Sequence, residues 1–568
     1  MNIRLRTKLI NRLNRIYQRT LSEEWLETFI QFVENNRNKN PKTPPDWDEN
    51  NVFLITYGDA ITRTGEAPLK TLHHFADEKL RGCISTIHIL PFFPYSSDDG
   101  FSVMDFYQVD DKLGDWSDIE CLQKDFLLMA DLVANHASSK GVWFQQFLNG
   151  EAPGKDYFFV PPGDFDTSRV IRPRNTPLLT PFQTKIGSKK VWTTFSADQA
   201  DLNYQNPEVL KEILTVFLFY LAKGIRVIRL DAIAFLWKKT GTACMHETET
   251  HEIVCLFRDI MDYCYPGALL LTETNVPHKE NITYFGLGDE ANLVYQFALP
   301  PLILHALHSG NAHYLSQWAR ELNNPRKGTT YLNFTSSHDG IGVRPLEGLM
   351  PAEEVRRMAE NLKAEGALIT NRRVGDREVP YEINVTYFDA LKTTDQGADI
   401  FQIDRFIQSQ TIMLSLQGVP AFYFLNLFGI PNDLEGVKRT GTNRSINRRK
   451  FRVEELEKLL KEKPQHHQIL KELVHRTGIR RSVSAFSPDT QQLIINLKNE
   501  FFGILRKTDK MENSVVCLYN LTNQPQELTL PPGLMEFSRD LLTRKLYDQE
   551  KIPFKPYQSM WLITRFIK

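Results

Sequence analysis

The chain has 568 residues, enough for a large core and for more than one domain. Its 68 basic and 69 acidic residues leave a net charge of −1, so the balance points away from nucleic acid and other polyanionic partners. A hydrophobic fraction of 42% with 11% aromatics suits a soluble enzyme, and no apolar run approaches the length of a membrane span. The basic opening "MNIRLRTKLINRLNRIYQRT" lacks the apolar stretch of a secretion signal. Six cysteines (83, 121, 244, 255, 264, 517) lie scattered with no CxxC pair, which suits reduced thiols; the expected compartment is the cytoplasm.

Residues 1–50 read as a helical extension closing on the breaker "NPKTPPDWDEN". "NVFLITYGDA" (51–60) then reads as a short buried strand, "STIHILPFF" (85–93) as a second and "FLLMADLVANH" (126–136) as a third. About seventy residues rich in Pro, Gly, Asp and Thr follow. The amphipathic helix "NPEVLKEILTVFLFYLAKG" feeds the strand "IRVIRLDAIAF", and the helix "HEIVCLFRDIMDYC" precedes "ALLLTETN". Later comes "TTYLNFTSSHDG". Apolar strands alternating with helices, each strand ending in charge, are the rhythm of a parallel sheet with its active site at the carboxyl ends, hence an α/β fold of the (β/α)8 TIM-barrel type. A doubly wound sheet shares the rhythm, but neither GxGxxG nor GxxxxGK[ST] occurs. From 481 onward, short alternating runs such as "NSVVCLYNL" and "SMWLITRF" predict a C-terminal antiparallel β domain, 481–568.

Arg229 and Asp231 sit two apart in an apolar strand and so point to the same side. Burying both costs several kcal/mol unless they pair or are used. They join three other polar strand ends: Asp131, Asn135 and His136 in "DLVANH", Glu273 in "TETN", and His338 and Asp339 in "SSHDG". Carboxylates gathered at one barrel mouth suit glycosyl transfer, in which one attacks the anomeric carbon and a second, kept protonated, releases the leaving group. One such acid alone is more often a cap or a structural ion pair; four strand ends in barrel order speak against that reading.

"DLVANH", "GIRVIRLDAIAF", "TETN" and "SSHDG", with "QADLN" at 199–203, resemble in order and spacing the motifs of the α-amylase superfamily, glycoside hydrolase family 13. The resemblance implies Asp231 as nucleophile, Glu273 as acid/base and Asp339 as the third acid. It makes His136, Gln199, Arg229 and His338 companions at the glucosyl site. It divides the chain into a barrel (51–94, 205–330 and 393–480), an inserted domain 95–204 and an inserted acceptor-loop domain 331–392.

"LITYGD", "LPFFPYSSDDGFSVMDF" and "YQFALPPLILHAL" are similar to the sucrose phosphorylases, whose glucosyl enzyme is intercepted by phosphate. That likeness places Asp59 and Arg444 (in "GTNRSINR") near glucose and Arg174 (in "RPRNTPLLTPF") at the phosphate and acceptor site. The acceptor stretch 366–390 has Tyr381 and Glu382 in "YEIN", and Glu378 and Val379 where the sucrose enzymes carry a Leu-Asp pair. It is basic, with Arg372, Arg373 and Arg377, and looks most like the glucosylglycerate phosphorylases; arginines there would read the carboxylate of glycerate. Arg344 is a further candidate anion contact. The implied partners are a small sugar substrate and inorganic phosphate, with no nucleic acid, membrane, cofactor or metal; the group often forms homodimers. Fructose, fructose 6-phosphate and glycerol stay open as alternative acceptors, and a hydrolase or transglucosylase as an alternative activity. Phe106 and Phe235 stand where many relatives carry His or Tyr, which predicts a less polar glucose wall. His246 and His251 are out of helical register for shared chelation, so a solvated helix start is expected there.

Overall fold

The computed structural model describes residues 1–39, 47–322, 326–374, 377–547 and 550–564; the first part of the breaker, 40–46, lies outside them. Helices α1 (Ile3–Tyr17) and α2 (Glu23–Asn35) precede a closed barrel of parallel strands. The barrel comprises β1 (Phe53–Thr56), β2 (Thr86–Ile89), β3 (Leu127–Val133), β4 (Val227–Asp231), β5 (Leu269–Thr272), β6 (Leu293–Tyr295), β7 (Thr330–Phe334) and β8 (Val419–Tyr423). Each strand pairs with the next in sequence, and β1 closes the ring on β8 through Phe53↔Ala421. The strands are short runs of Ile, Leu, Val and Phe, buried on both faces because helices cover the outside and side chains fill the inside. Parallel pairing demands crossovers. Helix α3 (Pro207–Ala222), capped by the Asn206 side chain with Pro207 at its first position, leads into β4; helix α4 (Thr248–Cys264) joins β4 to β5.

Six of the eight strands stand out in the sequence; β6 and β8 do not. β6 is three residues long, and β8 carries Pro420 in a central position paired with Asn333, where a proline argues against a strand. The insert boundaries are corrected as well. The span 95–204 contains β3, which pairs with β2 and β4 and belongs to the barrel, and 331–392 begins inside β7. The excursion proper leaves the barrel at His136–Ser138, which pairs antiparallel with Gln199–Asp201 on the return, and carries the hairpin Leu179–Thr184 with Gly187–Trp192. After β7 a small sheet joins Ile341–Gly342, Arg377–Asn384 and Leu368–Val374. The tail forms a five-stranded antiparallel sheet between Gln491 and Thr564.

Candidate active site

Arg229 and Asp231 pair: Arg229 Nη1 donates to Asp231 Oδ1 at 2.6 Å. The same nitrogen pairs with Asp131, which stands directly across from Arg229 on β3, and Asp131 Oδ2 lies 2.7 Å from His88 Nε2 on β2. A buried row His88–Asp131–Arg229–Asp231 thus crosses three neighbouring strands, each charge facing an opposite one that offsets its desolvation. His88 escaped the sequence reading; its only signal is a lone polar residue inside "TIHIL".

β5 runs in register with β4 (Leu230↔Thr272), and the Glu273 N–H donates to Leu230 O at 3.1 Å. Glu273 therefore stands beside Asp231 on the adjoining strand, where neighbouring strands lie about 4.8 Å apart. Its Oε2 accepts from the N–H of Ala232 at 3.0 Å, and Ala232 adopts a left-handed φ of 50° to present that N–H. Burial, reinforced by the negative Asp231 and Asp339, pushes the Glu273 carboxyl up to about 7 against the pull of Arg229. Burial also raises Asp231, but there Arg229 opposes it at hydrogen-bonding distance. Of the pair, Asp231 keeps the charge and Glu273 the proton.

Asp339 follows β7. Burial raises its carboxyl, yet Arg444, Arg448, Arg229 and Arg174 together hold it below the usual carboxylate range. Arg444 Nη1 sits 2.6 Å from Asp339 Oδ1, and its Nε and Nη2 donate to the two oxygens of Glu382 at 3.0 and 2.7 Å, a bidentate clasp. Arg448, one helical turn further along "GTNRSINR", was not singled out in the sequence. It donates to the His338 carbonyl at 2.8 Å and to Asp99 Oδ2 at 2.7 Å. His338 is kept neutral, its pKa driven well down by burial and by Arg448, Arg229 and Arg444, and its ring stacks on Phe101 at 4.8 Å. Phe101 reaches that position through a run of left-handed residues, Asp98, Asp99 and Gly100. A Cβ on Gly100 would lie 2.6 Å from Pro91 O, so only glycine fits.

His136 and Gln199 both donate to Phe101 O, at 2.9 and 3.3 Å, and line the pocket with Asp98, Phe195 and Phe235. Beneath them the Lys238 ammonium is buried between Asp201 Oδ2 (2.7 Å) and Asn135 Oδ1 (3.0 Å), an internal cation at the base of the excursion. Among the described residues no group of three or more His, Cys, Asp or Glu side chains is arranged to hold a metal. His246 and His251 are not a solvated helix start. His246 Nδ1 lies 2.9 Å from Tyr284 OH, and His251 stacks on that ring at 4.6 Å with its Nδ1 2.8 Å from Glu290; burial lowers the His246 pKa to about 4.

The pocket also holds cations in its lining. Arg174, Arg344, Tyr381 and Glu382 all line it, and Arg174 forms no ion pair or hydrogen bond among the described residues. Two expected contacts are elsewhere. Asp59 pairs with Lys450 at 2.6 Å and does not line the pocket, because that ammonium comes up beside Tyr57 and draws it away. Arg372 is held by Glu347 and does not line the pocket; the Arg373 side chain lies outside the described residues. Of the two phenylalanines, Phe235 is in the wall, whereas Phe106 stacks on Trp143 at 5.0 Å and is not.

Two carboxylates on adjoining strands, one holding its proton near neutrality, equip a barrel enzyme for glycosyl transfer with retention. The profile of the α-amylase catalytic domain matches residues 82–341. Glucosylglycerate phosphorylase of Spirochaeta thermophila is 43% identical over 520 residues, covering 91% of this chain and 88% of that one. The Escherichia coli protein of the same name is 41% identical over 98% of this chain and 100% of its own. A crystal structure of sucrose 6F-phosphate phosphorylase from Thermoanaerobacter thermosaccharolyticum superposes with a TM-score of 0.72 at 26% identity, covering 83% of this chain and 94% of that one. The chain belongs to the α-amylase superfamily, in the subgroup of the sucrose and glucosylglycerate phosphorylases.

Proposed function

We propose that the chain is a retaining disaccharide phosphorylase converting 2-O-α-D-glucosyl-D-glycerate and phosphate to α-D-glucose 1-phosphate and D-glycerate. The observation that carries this reading is the coexistence of the split carboxylate pair with two pocket arginines, Arg174 and Arg344, beyond it. Relatives of that activity covering nearly the whole chain support the acceptor.

Asp231 Oδ1 is engaged by Arg229, so Oδ2 is the oxygen that attacks C1 of the glucosyl group. As the C1–O bond to glycerate breaks, Glu273 gives its proton to the departing oxygen and becomes a carboxylate. D-Glycerate leaves, and a phosphate oxygen attacks C1 from the vacated side, breaking the bond to Asp231. Glu273 recovers a proton from phosphate, and two inversions give net retention. Asp339, held ionised by Arg444, together with His136 and Gln199 takes the sugar hydroxyls. Phosphate carries up to two negative charges into a pocket already holding Asp231 and Asp339, and Arg174, free of other pairing among the described residues, supplies the compensating cation.

The test is synthesis from α-glucose 1-phosphate with D-glycerate, glycerol, fructose, fructose 6-phosphate or water, following phosphate release. D-Glycerate is expected to be preferred strongly, with water slow. Preference for fructose or its phosphate would overturn the acceptor, and equal release with water alone would make the enzyme a hydrolase.

A further inference from the structure

Arg344 opens a short 3₁₀ turn, Arg344–Leu346, that follows the β7 loop. The residue is only 8% exposed, yet it lines the active-site pocket. Its guanidinium is under-engaged for so buried a cation. Nη1 lies 3.7 Å from the thioether of Met245, Nη2 lies 3.7 Å from Glu280 Oε2, and Nε has no hydrogen-bond partner among the described residues. Asn275, which lines the same pocket, also has a buried Oδ1 without a partner among the described residues. The Asn275 carboxamide is laid against Gly342, where a Cβ would stand 2.6 Å from it, so its place in the wall is fixed. Thr274, Asn275 and Val276 continue directly from Glu273, so this part of the wall adjoins the group that protonates the leaving oxygen.

A buried, half-satisfied guanidinium in one pocket with an unpartnered carboxamide oxygen makes a receptor for a small carboxylate that also bears hydroxyl groups. We infer that Arg344 is the residue that selects the acceptor's carboxylate, with Asn275 taking a neighbouring hydroxyl, and that Arg372 does not. This rests on the phosphorylase reading above and deepens it. Arg174 reaches the pocket from the excursion, where its charge acts on Asp339 and Glu382, and both it and Arg344 act on Tyr381. Arg344 is engaged instead by Glu280 and Met245. On this assignment the two anions of the reaction meet different arginines: the carboxylate Arg344, phosphate Arg174. Glu280 Oε2, 3.7 Å from Arg344 and 3.3 Å from His246 Nε2, keeps the guanidinium in place while the subsite is empty.

The experiment compares D-glycerate, its uncharged amide and glycerol as acceptors with α-glucose 1-phosphate, in the wild type, Arg344→Met and Arg344→Lys. Arg344→Met is expected to raise the KM for D-glycerate about 10–100-fold, the value of one lost charge-assisted contact. It should leave glycerol and the amide within about threefold, so that the preference for the charged acceptor collapses, and Arg344→Lys should restore part of it. The KM for phosphate in the phosphorolytic direction should change far less than that for glycerate. Equal losses on all three acceptors, or an equal loss on phosphate, would overturn the assignment. So would a variant that keeps the wild-type preference. If the wild type itself shows no preference for D-glycerate, both the activity and the assignment fall. If Arg344→Met does not fold, Arg344→Lys carries the test: a KM for D-glycerate and a preference over the amide unchanged from wild type would overturn the assignment.

Discussion

In the proposed mechanism Glu273 carries the proton on which the first chemical step depends, and its surroundings fix how the rate responds to pH. Its folded-state pKa is raised to about 7, so the acid form is complete well below that value and is lost as pH rises through it. Phosphorolysis of glucosylglycerate, whose leaving group is a poorly acidic alcohol, should lose kcat/KM about tenfold per pH unit above about 7. A glucosyl fluoride needs no proton to leave and should show no such alkaline limb. Glu273→Gln should cost about 10²- to 10⁴-fold on glucosylglycerate and spare release of fluoride from the same enzyme. Steady-state kinetics on the two donors checks this, and unchanged turnover of the natural donor would remove Glu273 from its role. These acids stood out in the sequence because four charged strand ends fall in barrel order, although any one of them alone is more often a cap or an ion pair. Asp59 and Arg372 were misplaced for the opposite reason. What each pairs with, Lys450 and Glu347, comes from distant sequence, and spacing alone carries no information about which cation an exposed carboxylate will find. Arg448 was missed although it lies four residues from Arg444, because nothing in the pattern says that both point inward.

The element that sets the His136 and Gln199 wall of the pocket is the antiparallel pair His136–Ser138 with Gln199–Asp201, which joins the excursion to the barrel. Its register puts His136 opposite Asp201, and Asp201 is fastened by the N–H and hydroxyl of Thr194 at 2.8 and 2.6 Å, by Asn135 Nδ2 at 3.0 Å and by Lys238. Lys238 in turn follows β4, so a single buried ammonium ties the loop after Asp231 to the strands bearing His136 and Gln199. Lys238→Met leaves the fully buried Asp201 carboxylate without a cation, a loss of about 3–5 kcal/mol. Denaturant unfolding should show that loss, with a raised KM for α-glucose 1-phosphate as His136 and Gln199 loosen. Adding Asp201→Asn should recover at least about half of the stability, since the amide oxygen still accepts from Thr194. Additive losses in the double variant would mean that the two side chains act independently. The sequence showed the excursion by its Pro, Gly and Asp content. Its bounds came out too wide because they took in β3, although that run was itself read as a strand, and β8 stayed hidden behind its proline.

At the scale of the whole molecule, buried arginines hold the additions to the barrel. Arg480 and Arg506 donate to main-chain carbonyls, including Leu414, Phe486, Ser415 and Ser487, and so join the barrel floor to the C-terminal sheet. The N-terminal helices clamp α3 and α4, the two helices that flank β4. On α2, Trp25 Nε1 donates to Glu208 of α3 at 2.6 Å, while the Asn38 N–H beyond it donates to Cys264 O at the end of α4 at 2.9 Å. On α1, Arg12 donates to Glu252 and Asp259 of α4, each at 3.1 Å, and to Asp289 at 2.8 Å. Helical periodicity made the extension legible, but only the fold reveals that it grips the connection between Asp231 and Glu273. Arg12→Met should weaken this grip by about 2 kcal/mol, less than a fully buried triad would lose because Glu252 and Asp289 stay partly hydrated. Because the helices can open without the barrel unfolding, the effect is local. Under a protease in the limit where cleavage follows the open population, cuts within residues 1–39 should come about 30-fold faster, with kcat/KM at 25 °C within about twofold of wild type. An unchanged cleavage rate would show that the apolar face of α1, centred on the buried Leu9, Leu13 and Ile16, holds the extension without help from its charges.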